Sequence, residues 1–370
     1  MNNSGFSAIT AELTCLDYLK KFYPYEVWDL SPIDNKSGSF KNIDEAVSIK
    51  DMDEFDKRLH ELTKQDRIVI VTNMVLSSYR KFYDAIKKYD IQVINTQKNN
   101  FGCFLDRKSA LVFNIKMPLK QRIKRLLNNS ELVRTLYKKR LYNGIKFDYQ
   151  LSAYNFSPEE VTHFVKAHSV KYDEYLKNKE DASLIDGDYI LYIDSATCYH
   201  PIDYPENNPD FDPKHHLAQL NHYFSLLEDK YKLPVVISLH PCSNGRLTSE
   251  HFGGRRILYS KTPLLIQHSK FVVSVFSTSL INVILAKKPS LIITSYEIEH
   301  SDRRNQEAFA FCLARMCGFK IDSLDSPKLP SPEVDKTKYD LFTKKYLVNQ
   351  DLSDKSNGEI LLDLIRRIEH

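Results

Sequence analysis

The feature that most constrains this chain is the alternation of short β-branched and aromatic runs with longer stretches of helical period. That pattern is the signature of parallel sheets built from βαβ units, because a parallel pair needs a crossover long enough to hold a helix. In the first half the strand candidates are Tyr25–Leu30, Arg67–Thr72, Ile91–Thr96 and Ala110–Ile115, with helical stretches at Asp53–Lys64 and Ser77–Tyr89. A second series runs through Tyr189–Ile193, Pro234–Leu239, Arg256–Tyr259, Phe271–Val275 and Ser290–Thr294. The chain has 370 residues, which is long for one core and suits two. The expectation is an α/β protein of two Rossmann-like domains facing across a cleft. The polar stretch Ser169–Asp188 is the candidate linker, giving an N-terminal domain over 1–175 and a C-terminal domain over 176–335. After the prolines of Asp325–Pro332, helical patterns over 336–370 finish at Leu361–Ile368 and would pack back across the domains.

Composition excludes several classes. Hydrophobic residues make up 42% and charged residues 27%, the balance of a globular protein, and a net charge of +4 makes no case for nucleic acid as partner. The six cysteines form no CxxC pair and read as reduced thiols. The segment Met1 to Lys20 mixes acidic and basic residues, unlike a secretory signal, and the apolar stretch Phe271 to Ala286 is broken by hydroxyls and is too short to span a bilayer. A cytoplasmic protein is expected.

Three strand ends carry chemistry. Pro234-Val-Val-Ile-Ser-Leu-His240-Pro241 delivers an imidazole at the carboxyl end of a buried strand, where ligands of open α/β sheets lie. His240 would donate to a phosphate oxygen or cap a turn. Phe271 to Val275 leads into Ser277-Thr278-Ser279 and then an apolar helical run, so free N–H groups and hydroxyls at the helix start would cradle a phosphate without a metal, or Ser277 or Thr278 would cap the helix. Tyr189-Ile-Leu-Tyr-Ile-Asp194-Ser195 ends on a carboxylate; burial would raise its pKa toward that of a general base, unless it caps the following turn. Tyr199-His200-Pro201-Ile202-Asp203 follows, as an acceptor pocket or as a loop. Gly253-Gly254-Arg255-Arg256 and Lys261-Thr262 would grip phosphate or a sugar carboxylate, or belong to solvated turns.

The series His240-Pro241, Gly253-Gly254-Arg255, Lys261-Thr262, Ser277-Thr278-Ser279 and Lys288-Pro289 resembles bacterial GT-B glycosyltransferases of surface-polysaccharide loci. In particular it is similar to the His-Pro and Ser-Ser/Thr motifs of sialyl-, polysialyl- and Kdo transferases. The specific part spans roughly Tyr189 to Thr294, and the first half matches in general pattern alone. The resemblance implies a metal-independent transferase without cofactor, taking a CMP-linked nonulosonate as substrate and a glycan or glycolipid as acceptor. It makes His240, Ser277 and Thr278 nucleotide contacts, with Pro241, Ser279, Arg255, Lys261 and Thr262 around them. The sialyltransferase acidic motif, two acidic residues followed by glycine, has no good copy, and Asp194 stands in as base. Competing readings are a CDP-polyol phosphotransferase, a sugar-nucleotide epimerase and a non-catalytic assembly subunit.

Between Lys116 and Lys146 the chain is basic and interleaved with leucine and isoleucine; Lys120, Arg122, Lys124, Arg125, Arg134, Lys138, Lys139 and Arg140 face Glu131 alone. It would meet anionic lipid at the inner membrane surface or be a solvated helix pair. Two D-x-D tripeptides, Asp51-Met52-Asp53 and Asp186-Gly187-Asp188, sit in polar connections and are not expected to hold a metal. His215, His216 and His222 read as surface residues.

Overall fold

The computed structural model describes residues 8–34, 45–96, 144–154, 158–199, 211–301 and 304–369. The strand candidate Ala110–Ile115, the basic run from Lys116 through Arg140, and His200 to Asp203 lie outside the described residues. The chain divides into two compact units. One is formed by described residues within Met1–Asn100, Met117–Val170 and Tyr346–His370, the other by Lys171–Lys345. The divisions fall at 170/171 and 345/346, beside the 175/176 and 335/336 of the sequence expectation. The expected linker Ser169–Asp188 begins with a helix, Val170–Asn178.

The first unit contains β1 (Val27–Asp29) and β2 (Ala46–Ser48), a parallel pair, and a parallel sheet of β3 (Val69–Thr72), β4 (Gln92–Thr96), β5 (Phe147–Ser152) and β6 (Val161–Lys166) in that order. Strand alternation divides its apolar residues between two cores. Ile70 and Val93 pack with Phe55, Leu59, Tyr79, Phe82 and Ile86 of the helices Met52–Gln65 and Leu76–Lys88. Val69, Val71 and Ile94 pack instead with Leu361, Leu364, Ile365 and Ile368 of the C-terminal helix Asn357–Glu369. The chain's end is held to this unit by His168. Its backbone N–H donates to Asn357 Oδ1, its Nδ1 accepts from the Asn349 N–H, and its Nε2 bridges the carbonyls of Leu352 and Lys355.

The second unit is a six-stranded parallel sheet of β7 (Ile190–Ile193), β8 (Val235–Leu239), β9 (Ile257–Tyr259), β10 (Phe271–Ser274), β11 (Ser290–Thr294) and β12 (Lys320–Ser323), in the order β12-β11-β10-β7-β8-β9. Ile190, Tyr192, Val235, Ile237, Leu239, Phe271, Val273, Leu291 and Ile293 share a core with Tyr223, Phe224 and Leu227 of the helix Pro213–Tyr231. The alternate residues Leu191, Ile193, Val236, Val272 and Ile292 are equally buried, so these central strands are covered on both faces, as a parallel sheet requires. The chain runs outward from β7 to β9, then returns to β10 on the other side and continues outward. The order therefore reverses between β7 and β10, and that crevice at the carboxyl ends is where open α/β sheets take ligands.

β2, β5, β6 and β12 had no counterpart in the strand expectations. In β12 the sequence Lys-Ile-Asp-Ser is polar because the strand is an edge, and its Asp322 is buried for a structural reason: it accepts from the Tyr223 hydroxyl and the backbone of Ser323, Lys328 and Leu329. His216 corrects the surface reading. It is fully buried and packs on Phe211, while His215 and His222 are exposed. No described helix is long and apolar enough to cross a membrane.

Candidate functional site

β7, the innermost strand in connection order, ends on Asp194 and Ser195, both buried. The two residues hold its neighbours on either side. Asp194 Oδ2 accepts the backbone N–H of His240, at the end of β8, at 3.1 Å, and Oδ1 accepts the N–H of Ala196 at 3.0 Å. Ser195 Oγ accepts the N–H of Phe276, just beyond β10, at 3.1 Å. A hydrogen-bonded path thus runs from the His240 turn through Asp194-Ser195 to the loop that carries Ser277-Thr278-Ser279, across the crevice at the switch point. The three strand-end motifs meet at one edge because their parallel strands are neighbours in the sheet.

Burial pushes the Asp194 carboxyl above the ordinary carboxylate range, and the Ser243 hydroxyl, the His240 N–H, the His240 ring and the Ala196 N–H counter part of that rise. The Ser243 Oγ is buried and favours the charged form electrostatically, short of a hydrogen bond of ordinary geometry. Asp194 caps the turn at Ala196, whose φ is +52°, and burial raises its proton affinity. His240 opens a short 3₁₀ turn, Pro241–Ser243, and its Nδ1 accepts the Cys242 N–H at 3.1 Å. In the neutral ring this puts the proton on Nε2, which makes that nitrogen a donor. Pro241 is exposed and fixes the turn.

The hydroxyl loop differs from the cradle expected of it. Ser277 Oγ accepts the Ser279 N–H at 3.1 Å, and the N–H groups of Leu280, Ile281 and Asn282 bond to the carbonyls of Ser277, Thr278 and Ser279. The start of the helix Leu280–Leu285 is therefore largely satisfied from within. Among the described residues, no hydrogen bond engages the amides of Ser277 and Thr278, and the Thr278 side chain is exposed. The phosphate contacts this loop can offer come from these two amides and the Thr278 hydroxyl.

Arg255 is a correction. All five N–H donors of its guanidinium are engaged: Nε and Nη2 fork onto Glu228 at 3.0 and 2.6 Å, Nη1 donates to Asn221 Oδ1 and the Phe252 carbonyl, and Nη2 also donates to Ser225 Oγ. The cation also lies 5.4 Å from the Phe224 ring centroid. It ties the Gly253-Gly254 turn to the helix Pro213–Tyr231 and has nothing left for a phosphate. The Thr262 hydroxyl lies 2.7 Å from Ser238 Oγ, and Lys261 beyond β9 is exposed. Missed at the sequence level were the partners themselves, Glu228, Ser238 and Ser243; none lies next in sequence to the group it serves. Asp51 caps the helix Met52–Gln65 by accepting the Glu54 N–H, and Asp188 faces Lys270 at 3.7 Å. No group of three or more acidic, His or Cys side chains suited to a metal occurs among the described residues.

No family model matches this sequence, and no curated protein matches it. Solved structures do. The wall teichoic acid polymerase TagF is 13% identical, with 99% of this chain and 88% of that one covered at a TM-score of 0.50. UDP-GlcNAc 2-epimerase from Methanocaldococcus jannaschii is 11% identical over 97% of each chain at 0.48. The spinosyn forosaminyltransferase SpnP is 12% identical, covering 98% and 95%, at 0.41. The likeness to TagF is one of fold, and the fold is α/β with two Rossmann-like domains of the GT-B type.

Proposed function

We propose that this chain is a glycosyltransferase that moves a sugar, preferably Kdo or a sialic-acid-like nonulosonate from a CMP-linked donor, to a hydroxyl of a surface glycan or glycolipid. The observation that carries the reading is the hydrogen-bonded path joining His240, Asp194-Ser195 and the Ser277-Thr278 loop at the sheet's switch point. In this reading the acceptor oxygen forms a bond to the anomeric carbon while the bond from that carbon to the phosphate oxygen breaks. The electron pair leaves with CMP. His240 Nε2–H and the Thr278 hydroxyl, with the Ser277 and Thr278 amides, stabilise the departing phosphate, and the acceptor's proton passes to Asp194. Pro241 and Ser279 shape the two turns, and Lys261 is an exposed cation beyond β9.

A second reading has support from the TagF likeness: transfer of a polyol phosphate from a CDP-linked donor to a growing polymer. Thermal unfolding with CMP, CDP and UDP separates the two. A ligand at a hundred times its Kd adds about 2.7 kcal/mol to the folded state. Stabilisation by CMP, with sugar-extended product detected by mass spectrometry from a CMP-sugar, supports the first. Stabilisation by CDP and not CMP selects the second. If neither nucleotide stabilises the protein, or His240→Ala leaves product formation intact, the transferase reading fails. The 116–146 segment is assigned to anionic membrane contact, and loss of co-sedimentation with phosphatidylglycerol vesicles on replacing Lys120, Arg122, Lys124 and Arg125 by Gln is the test.

A further inference from the structure

One exposed aromatic group stands at the same edge of the sheet and takes no part in the reaction described above. Tyr296 lies two residues beyond β11, the strand next to β10, so it leaves the sheet at the same carboxyl edge as the Ser277 loop. It is 69% exposed, yet its ring is not loose. The His300 imidazole stacks on it at 3.9 Å between centroids and 20° between planes. His300 Nδ1 donates to the Tyr296 carbonyl at 2.8 Å, which fixes the imidazole, and the Tyr296 N–H donates to Asp325 Oδ2. Ser295 caps this turn by accepting the Ile298 N–H. One ring face is covered, and the side chain is held out toward solvent as a flat apolar plate.

We propose that Tyr296, backed by His300, is a stacking platform for a neutral pyranose ring of the acceptor glycan. The inference rests on the glycosyl-transfer reading of the neighbouring loops. Three features favour a sugar. An aromatic face presents its negative side to the axial C–H bonds of a pyranose, an interaction that needs a bare ring held in advance. The surroundings are acceptors: Glu297 takes the Asp212 N–H on Oε1 and faces His215 Nδ1 with Oε2, and Asp325 accepts from Gln219 Nε2 as well as from Tyr296. Carboxylates accept from sugar hydroxyls and repel phosphate, so the described side chains here select a neutral glycan over the nucleotide. The His300 Nδ1–H bond leaves Nε2 of the neutral ring as a further acceptor.

The test replaces Tyr296 with a reporter. The chain's one native tryptophan, Trp28, is buried in the other unit, so Tyr296→Trp adds a single exposed indole at the platform. Its emission is titrated with maltoheptaose, chitotetraose and lacto-N-tetraose, and separately with CMP and CDP. A saturable blue shift with one or more of the oligosaccharides and none with the nucleotides is the expected result. A response to nucleotides alone, or to nothing, overturns the platform. In the transfer assay Tyr296→Ala should raise the acceptor KM tenfold or more with donor KM and unfolding temperature unchanged, and Tyr296→Phe should restore it. An unchanged acceptor KM also overturns the proposal. Failure of CMP and CDP to stabilise the wild-type protein is a separate result, which removes the transfer reading and leaves the indole titration to stand or fall alone.

Discussion

Removing the Arg255 guanidinium distinguishes a structural clamp from a phosphate ligand. Arg255→Ala deletes five hydrogen bonds, two of them to a carboxylate, and a cation over Phe224. A fully buried pair broken on one side costs about 3–5 kcal/mol, because the surviving charge is stranded. Here the Arg255 side chain is 11% exposed and Glu228 30%, and Glu228 keeps the Val235 N–H, so solvent and that bond relieve part of the loss. Asn221 also keeps its bond to the His251 carbonyl. The loss of packing against Phe224 acts in the opposite sense, and the net expectation is about 3 kcal/mol. For a unit of this size 1 kcal/mol moves the midpoint by roughly 2–4 °C, so calorimetry should show a fall of about 6–12 °C. Arg255→Lys keeps one contact to Glu228 without the fork and should lose roughly half as much. In a cycle with Glu228→Gln the coupling should be about 1–2 kcal/mol. The nucleotide's affinity, measured below the lowered midpoint, should stay within twofold. A midpoint within 2 °C of wild type together with a tenfold weaker nucleotide, judged against about 1.4 kcal/mol per decade, would refute the clamp.

Asp194→Asn should abolish transfer and change the pH dependence of stability. Burial raises the folded-state pKa of Asp194, so its proton favours the folded state, fully below the unfolded value near 4, and that contribution disappears as pH rises through the raised value. Urea melts from pH 3.5 to 7 should show wild type losing stability relative to the variant over that window, and parallel curves would contradict the buried carboxyl. Gly358→Ala should cost about 1–3 kcal/mol, since a Cβ there falls 2.7–2.9 Å from the Tyr18 side chain; an unshifted Trp28 emission melt would argue against that contact. Lys232, exposed with φ +54° after the helix Pro213–Tyr231, should gain roughly 0.5–1 kcal/mol on Lys232→Gly, measured by urea denaturation. A loss of stability would mean that the ion pair to Asp229 outweighs the backbone term.

The class of fold is legible in the order of residues alone. Helical and strand periods are local properties, so β1, β3 and β4 of the first unit, β7 to β11 of the second, and the helices Met52–Gln65 and Leu76–Lys88 could be read within a few residues. The same locality marked Asp194, His240 and Ser277 as strand-end residues. Partnership is settled by the folded chain. Arg255 reads as a free cation beside two glycines until the chain brings Glu228 to it from 27 residues away. The N–H groups before the helix Leu280–Leu285 read as a vacant cradle until Ser195 and the loop's own carbonyls take several of them. His216 follows exposed His215 in sequence, yet the helix turns by about 100° per residue and points it inward. Edge strand β12 is hidden by its polarity, which records an unpaired side and a buried Asp322. A charge or an N–H carries no mark in the sequence of whether it is already satisfied, because its partner is chosen by the three-dimensional return of the chain.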